Sequence, residues 1–357
     1  MDSSVINNNH TYREIKRQQK GWKAVLESLK GKDTELLKIL DKYSASTWIF
    51  SGCGTSYYLA QTASILFEMI TGFRSKSVAS SEILMFPGSV FNTRDENLFI
   101  PISRSGITTE VVKAAQLTRK HFNIPTLAIS CDPDSTLIKE SELKLTFPFD
   151  RENSVVMTGS FTTMVMSLIY LAYLRPRTKK VLPNFNDVAD RSTKVVEKYE
   201  SFIEDISNDR EITDFVFLGQ GPYYGIANEA ALKVQEMSIS PSQSYHALEY
   251  RHGPISTATQ HTLITVLCSQ AGQEFEHPLI SDLEQLGAKI LVFKNNKAGI
   301  NLNAADFVIT DSEAFGDIFN PVIYTPLLQL LGYYKALAKN IDPDNPKNLS
   351  AVVKLEI

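Results

Sequence analysis

Two short segments of this 357-residue chain carry the donor groups that an anion needs. Gly52-Cys53-Gly54-Thr55-Ser56 joins two glycines to two hydroxyls, and Ser103-Arg104-Ser105-Gly106-Ile107-Thr108 adds further hydroxyls and a guanidinium. Glycine lets backbone N–H groups converge on one point, and a helix starting there contributes positive partial charge. Hydroxyls, amides and an arginine together are the means of holding a phosphate. Gly52–Ser56 lacks the Gly-Lys-Ser/Thr ending of a nucleotide P-loop, and Tyr57 stands where a dinucleotide fingerprint wants its third glycine. Nucleotides and dinucleotides are therefore disfavoured. The plainer alternatives are a merely tight turn for the first segment and helix N-capping by Ser105 or Thr108 for the second.

Two other segments could move protons. In Asn228–Ser238 (NEAALKVQEMS), helical by propensity, Glu229, Lys233 and Glu236 fall at i, i+4 and i+7 and share one stripe. Such a stripe is either a solvated face with a weak salt bridge or, because it follows a glycine turn, part of a site. Glu249-Tyr250-Arg251-His252-Gly253-Pro254 ends in a Gly-Pro breaker, which puts His252 on a loop. A loop histidine titrates near neutrality and can shuttle protons, or it is simply exposed.

The elements that must position these residues come in two copies. Trp48–Ala60 (WIFSGCGTSYYLA) returns as Phe215–Ala227 (FVFLGQGPYYGIA), and Phe99–Gly106 (FIPISRSG) returns as Thr265–Gly272 (TVLCSQAG). Self-similarity at domain length marks a duplication. The second copy has Pro222, Tyr223, Ser269 and Ala271 where the first has Thr55, Ser56, Ser103 and Ser105, and Pro222 removes an amide donor. The first copy is thus predicted to bind the anion and the second to be scaffold.

Short β-branched runs alternate with amphipathic stretches, the pattern of a parallel sheet covered by helices on both faces. The first copy has strand candidates at Thr47–Ser51, Arg74–Ala79, Asn97–Ile102, Thr126–Ser130 and Lys144–Phe147. The second has them at Asp214–Gly219, Gln243–Ala247, Thr262–Leu267, Lys289–Phe293 and Asp306–Thr310. Leu59, Ala63, Leu66 and Ile70 line one helix face after the glycine turn. Further helices are expected at Tyr12–Leu29, Val188–Ile206 and Tyr324–Lys339, with a proline-bearing linker at Pro176–Phe185. The expected divisions are a lead-in over 1–34, domains over 35–180 and 195–340, and a tail over 341–357. Asp-Pro and Asn-Pro pairs make that tail extended and able to lie across an active site.

A net charge of −4 gives no basic surface for nucleic acid. Three widely spaced cysteines and six scattered histidines imply no disulfide framework and no metal site. No apolar run reaches a membrane span, and the polar N-terminus is no signal peptide, so a reducing cytoplasm is expected.

Taken together, SGCGTS (Ser51–Ser56), ISRSGITTE (Ile102–Glu110), SVVMTGSFTTM (Ser154–Met164), LGQGPYYGIANEAALKVQEMS (Leu218–Ser238), EYRHGP (Glu249–Pro254) and DPDNPKNLS (Asp342–Ser350) resemble the sugar isomerase (SIS) domain family in its tandem form. The resemblance implies an α/β fold of two tandem five-stranded parallel-sheet α-β-α sandwiches. It implies that Ser56, Ser103, Arg104, Ser105 and Thr108 hold a sugar phosphate, with Thr55 and Val155 near the sugar. It implies that Glu236 moves a proton between C1 and C2, supported by Lys233 and Glu229, and that His252 assists ring opening, supplied by the neighbouring subunit of a homodimer. The MTGSFTT and YRHGP wording is similar to the branch that isomerises or deaminates amino-sugar 6-phosphates. No cofactor and no metal are implied. A glutaminase domain is not expected, since nothing before Thr47 offers a cysteine. A sugar-phosphate sensor and a deglycase of glycated-amine 6-phosphates remain as alternatives. Where the family's synthase tail has a lysine, this chain has Ala351, with Lys354 three residues on.

Overall fold

The structure, a computed structural model, describes residues 9–91, 95–148, 151–178, 184–295, 307–311, 315–353 and 355. The first eight residues of the lead-in, 179–183 of the expected linker, Asp306 and Lys354 lie outside the described residues. The chain divides into two compact units, neither of them contiguous. An N-terminal unit comprises Arg17–Asp187 with Ser350–Ile357, and a C-terminal unit comprises Met1–Lys16 with Val188–Leu349.

Helix α1 (His10–Leu29) begins in the C-terminal unit and ends in the N-terminal one. The N-terminal unit then runs α2 (Asp33–Lys42), β1 (Thr47–Gly52), α3 (Thr55–Thr71), β2 (Ser75–Ala79), α4 (Ser80–Met85), α5 (Pro87–Val90), β3 (Asn97–Pro101), α6 (Thr109–Phe122), β4 (Leu127–Ser130), α7 (Thr136–Glu140), β5 (Leu143–Thr146) and α8 (Gly159–Tyr173). The alternation of buried strand and helix is what parallel pairing with crossovers requires. All pairing here is parallel: β2-β1-β3 forms one ladder and β4-β5 another. Two isolated parallel bridges, Phe99 to Thr126 and Ile102 to Ile129, lie between them.

Pro101 accounts for that interruption. Phe99 N–H donates to Pro125 O and Ser103 N–H donates to Ile129 O, both at 3.0 Å. Midway between them Pro101 has no N–H to give, so one rung is missing. The expected single five-stranded sheet is therefore observed here as ladders of three and two.

The C-terminal unit runs α9 (Phe185–Asn208), β6 (Asp214–Gly219), α10 (Pro222–Ser238), β7 (Ser242–His246), two 3₁₀ turns (Glu249–Arg251 and Pro254–Thr257), β8 (Thr262–Leu267), α11 (Gln273–Glu284), β9 (Lys289–Asn295), β10 (Phe307–Asp311) and α12 (Gly316–Ala338). Its five strands form one parallel sheet in the order β10-β9-β8-β6-β7. Strand β8 is buried throughout and β6 from Phe215 onward, and Val216, Leu218, Ile264, Val266, Ile290 and Val292 form a core with Leu279 and Leu283 of α11.

Helix α12 begins eight residues before the expected Tyr324 and passes through Pro321 and Pro326. Proline ordinarily interrupts a helix by removing a donor. Here the side chains from Phe319 to Ala336 are buried, which outweighs that cost, and the Thr325 hydroxyl donates to the Pro321 carbonyl at 2.8 Å. The helix packs closely on α10: a Cβ placed on Gly332 would stand 2.9 Å from the Lys233 carbonyl oxygen.

Candidate active site

The glycine turn of the N-terminal unit forces its conformation by contact. A Cβ on Gly52 would fall 2.5 Å from the backbone carbon of Ser56, and Gly54 has φ +52°, which favours glycine. The chain therefore turns straight from β1 into α3, with Thr55 and Ser56 buried in the first turn. In the serine loop after β3, the Ser103 hydroxyl accepts the Gly106 N–H at 3.0 Å and lies 3.2 Å from the Thr108 hydroxyl. Gly106, at φ +64°, is tight against Ser135 Oγ, where an added Cβ would fall at 2.1 Å. Thr108 occupies the N-cap position of α6 without a side-chain cap bond. Among the described residues, Ser105 Oγ accepts only the nearby Ile107 N–H, at 3.3 Å. The capping alternative is thus not what these hydroxyls do. Among the described residues, no acceptor lies on the backbone N–H groups of Arg104 and Ser105.

Arg104 points elsewhere. Its guanidinium meets Glu152 at 3.4 Å and the carbonyl oxygens of Val155 at 3.1 Å and Ala351 at 3.3 Å. Its role within this unit is to tie the Val155 segment and the tail to the serine loop. Glu152, whose side chain is fully buried, also accepts from Thr158 N–H and hydroxyl, both at 2.7 Å, and from the Ser160 hydroxyl. It thereby holds the start of α8. Sequence reading missed Glu152; the available signal was an acidic residue just ahead of a hydroxyl-rich helix start, where a carboxylate is favoured.

In the C-terminal unit, the stripe on α10 is not a solvated face. Glu229 and Lys233 are buried, and the side chain of Glu236 is 18% exposed. Lys233 Nζ pairs with Glu236 Oε2 and stands 3.4 Å from Glu229 Oε1. Burial alone would lower the lysine's pKa, but the Glu229 and Glu236 carboxylates outweigh it and the net direction is up. The ammonium stays charged between two carboxylates, and only Glu236 reaches toward solvent. A carboxylate aligned by a buried ammonium and open on one side can take and return a proton.

His252 is exposed and follows the first 3₁₀ turn, ahead of Gly253 at φ +124°. Arg251 fixes that turn through two bonds to Asp282 Oδ2, at 2.9 and 2.6 Å. Among the described residues, no hydrogen bond or ion pair joins the His252 side chain to the α10 cluster. Sequence reading also passed over His246 at the end of β7. It stacks on Tyr224 with ring centroids 3.7 Å apart, and burial lowers its pKa.

The glycine turn is built twice. Gly221 has φ 56° and ψ −127°, against 52° and −128° at Gly54, and a Cβ on Gly219 would fall 2.4 Å from Tyr223 O. The serine loop is also repeated, with Ser269 Oγ accepting Gly272 N–H at 2.8 Å. Among the described residues no group of three or more His, Cys, Asp or Glu is placed to hold a metal ion, and no helix is long and apolar enough to cross a membrane.

Parallel α/β units carrying a glycine turn, a serine loop and a buried carboxylate–ammonium cluster are what the comparisons with known proteins must match. Residues 43–174 match the SIS domain family, and the chain belongs to that family. It is similar to the solved glucosamine-6-phosphate deaminase of Thermotoga maritima, with 31% identity and a TM-score of 0.78 over 97% of this chain and 100% of that one. It is also similar to the C-terminal domain of glucosamine-fructose-6-phosphate aminotransferase from Francisella tularensis, at 25% identity and TM-score 0.84 over 95% and 98% of the two chains. Among curated proteins, glutamine–fructose-6-phosphate aminotransferase (isomerizing) of Haemophilus influenzae is 29% identical over 85% of this chain and 51% of its own length. The chain spans about half the length of the curated relatives it matches.

Proposed function

We propose that this chain is a cofactor-free phosphosugar isomerase and deaminase, built of two tandem SIS domains, that acts on glucosamine 6-phosphate or galactosamine 6-phosphate. The observation that carries the reading is the buried Glu229–Lys233–Glu236 cluster with one carboxylate left open. The unpartnered amides of Arg104 and Ser105, beside the Ser103 and Thr108 hydroxyls, supply the phosphate holder. The likeness to the Thermotoga deaminase over nearly the whole chain supports the choice of substrate.

The phosphate anchor fixes the open-chain amino sugar, and orientation of this kind contributes several kcal/mol to lowering the barrier. Glu236 removes the proton from C2 as the electrons move onto the C1 carbonyl oxygen, which takes up a proton to give the enolamine. The nitrogen lone pair then drives protonation at C1 by the same carboxyl group. The double bond then lies between C2 and nitrogen, an imine that water converts to ketose phosphate and ammonia. With oxygen at C2 the same transfer is plain aldose–ketose isomerisation. His252 assists ring opening from the neighbouring subunit of a homodimer, and its exposure on a pinned turn supports that reach. The tail, whose Ala351 carbonyl meets Arg104, lies over the substrate. Three free cysteines suit a reducing cytoplasm.

The test is to incubate the purified protein with a panel of amino-sugar 6-phosphates and to follow ammonia and ketose phosphate separately. Both products, without added metal or nucleotide, are expected from glucosamine or galactosamine 6-phosphate. Ketose phosphate from a plain aldose 6-phosphate added to the panel, with no product from any amino sugar, makes it an isomerase only. Tight binding without product from any member overturns the enzyme reading, and dependence on added metal or nucleotide overturns the cofactor-free mechanism.

A further inference from the structure

The second copy of the serine loop is not empty scaffold, because it already holds an anion. The backbone N–H groups of Gln270 and Ala271 donate to Asp317 Oδ1 and Oδ2 at 2.7 and 3.0 Å. The hydroxyl of buried Tyr223 donates to the same Oδ1 at 3.1 Å. By the sequence repeat, Gln270 and Ala271 stand where the first copy has Arg104 and Ser105, and Tyr223 stands where it has Ser56. The two amides open in the N-terminal unit are thus the two closed by a carboxylate in the C-terminal unit.

The rest of the loop is arranged for that charge. Ser269 gives its N–H and its hydroxyl to the buried Glu276 carboxylate, at 2.8 and 2.9 Å, so the loop base is fixed by a second acid. Burial, and then the Asp317 charge, push the Tyr223 hydroxyl well above its ordinary pKa, which keeps it a donor. A small cavity beside the loop is lined by Ser269, Gln270, His277 and Lys294. His277 Nε2 has no hydrogen-bond partner among the described residues, so cationic and donor groups flank the cradle. Asp317 itself is in the first turn of α12, where the helix adds favourable partial charge.

We propose that the C-terminal unit retains a second anion cradle, formed by the Gln270 and Ala271 amides and the Tyr223 hydroxyl, whose resident ligand is the Asp317 carboxylate. Inorganic phosphate or a phosphate monoester takes that cradle when the carboxylate is removed. In the unaltered chain Asp317 latches the start of α12 to the β8 loop and denies the second copy to substrate.

The experiment is phosphate titration calorimetry on the full chain and on Asp317→Ala, at constant ionic strength with chloride as the reference anion. The Asp317→Ala chain is expected to bind one more phosphate than the unaltered chain. Adding Tyr223→Phe should weaken that gained site roughly 10- to 100-fold, the worth of one hydrogen bond to a charged group. A folded Asp317→Ala chain with unchanged stoichiometry overturns the proposal, as does a gained site indifferent to Tyr223→Phe. If Asp317→Ala does not fold, refolding in phosphate and in chloride decides: recovery only in phosphate supports the cradle, and equal recovery or failure in both overturns it. The readout is binding of inorganic phosphate, so failure of the proposed amino-sugar reaction leaves it intact.

Discussion

The two serine loops share a backbone plan and differ in what meets it. In the N-terminal unit Ser103 closes on Gly106 and Thr108, and the following two amides stay open. In the C-terminal unit Ser269 makes the same closure on Gly272, but Asp317 and Glu276 fill the donors around it. Glu110 stands at the sequence position that repeats as Glu276, yet its Oε2 is buried without a hydrogen-bond partner among the described residues. A duplicated loop can therefore keep its shape while one copy binds its own chain. On the function proposed above, side chains arriving from other elements decide which copy is left open for substrate.

The largest expected effect separates holding from chemistry. Glu236→Gln should lower kcat by ~10²–10⁴, the range of a lost general base, while leaving KM near its original value. A matching rise in KM would show that Glu236 binds substrate instead of moving its proton. The next effect tests the asymmetry of the loops. Ser105→Ala should weaken substrate binding by about 1.5–3 kcal/mol, the worth of a hydrogen bond to a charged group, and Ser269→Ala should leave binding unchanged. Equal losses at both serines would break the comparison.

A third effect concerns stability. Burial raises Glu276 from 4.5 to about 7 despite the Ser269 bonds, and the Asp317 charge adds to the rise. Between those values the folded state keeps the proton and the unfolded chain releases it, so stability falls as pH rises through that window. The loss is up to about 3 kcal/mol at 1.36 kcal/mol per pKa unit. Denaturant titrations of Glu276→Gln should show a flatter profile over this window, and an unaltered slope would remove Glu276 as its source. The smallest effect is a factor near two. Mixing Glu236→Gln with His252→Ala subunits should restore about half the wild-type rate per mixed dimer, because one hybrid site is intact on two-fold geometry. No recovery despite proven subunit exchange would assign both residues to one chain's site.

Much of the fold was legible because strand signals are local. Nine of the ten strands begin and end within one residue of their expected positions, and β9 runs two residues further, to Asn295. The parallel α/β class followed from alternation. What could not be read depended on partners distant in sequence. The sequence left the α10 stripe open between a solvated face and part of a site, because its burial depends on the packing of α12, whose start was hidden by Pro321 and Pro326. The partners of Arg104 were not readable: its guanidinium meets Glu152, 48 positions away, and Asp317 reaches the β8 loop from 47 positions beyond Gln270. Periodicity carries no trace of such pairs. The glycine turns were legible for the opposite reason, since their constraint lies within five residues.

The interleaving of the two units bears on how the protein is made. Arg104 completes its contacts with the carbonyl of Ala351, and Thr109 accepts the Leu355 amide through its hydroxyl at 3.0 Å. Conversely, Thr11 donates its N–H and its hydroxyl to Asp344, at 2.8 and 2.7 Å, inside the C-terminal unit. During synthesis Thr11 waits for a partner made more than three hundred residues later. The N-terminal unit lacks its strap from Ser350–Ile357 until the residues of the C-terminal unit have been made. Vectorial folding therefore cannot finish one half before the other, and a chain truncated after Leu349 leaves the earlier unit without the last contacts of its serine loop.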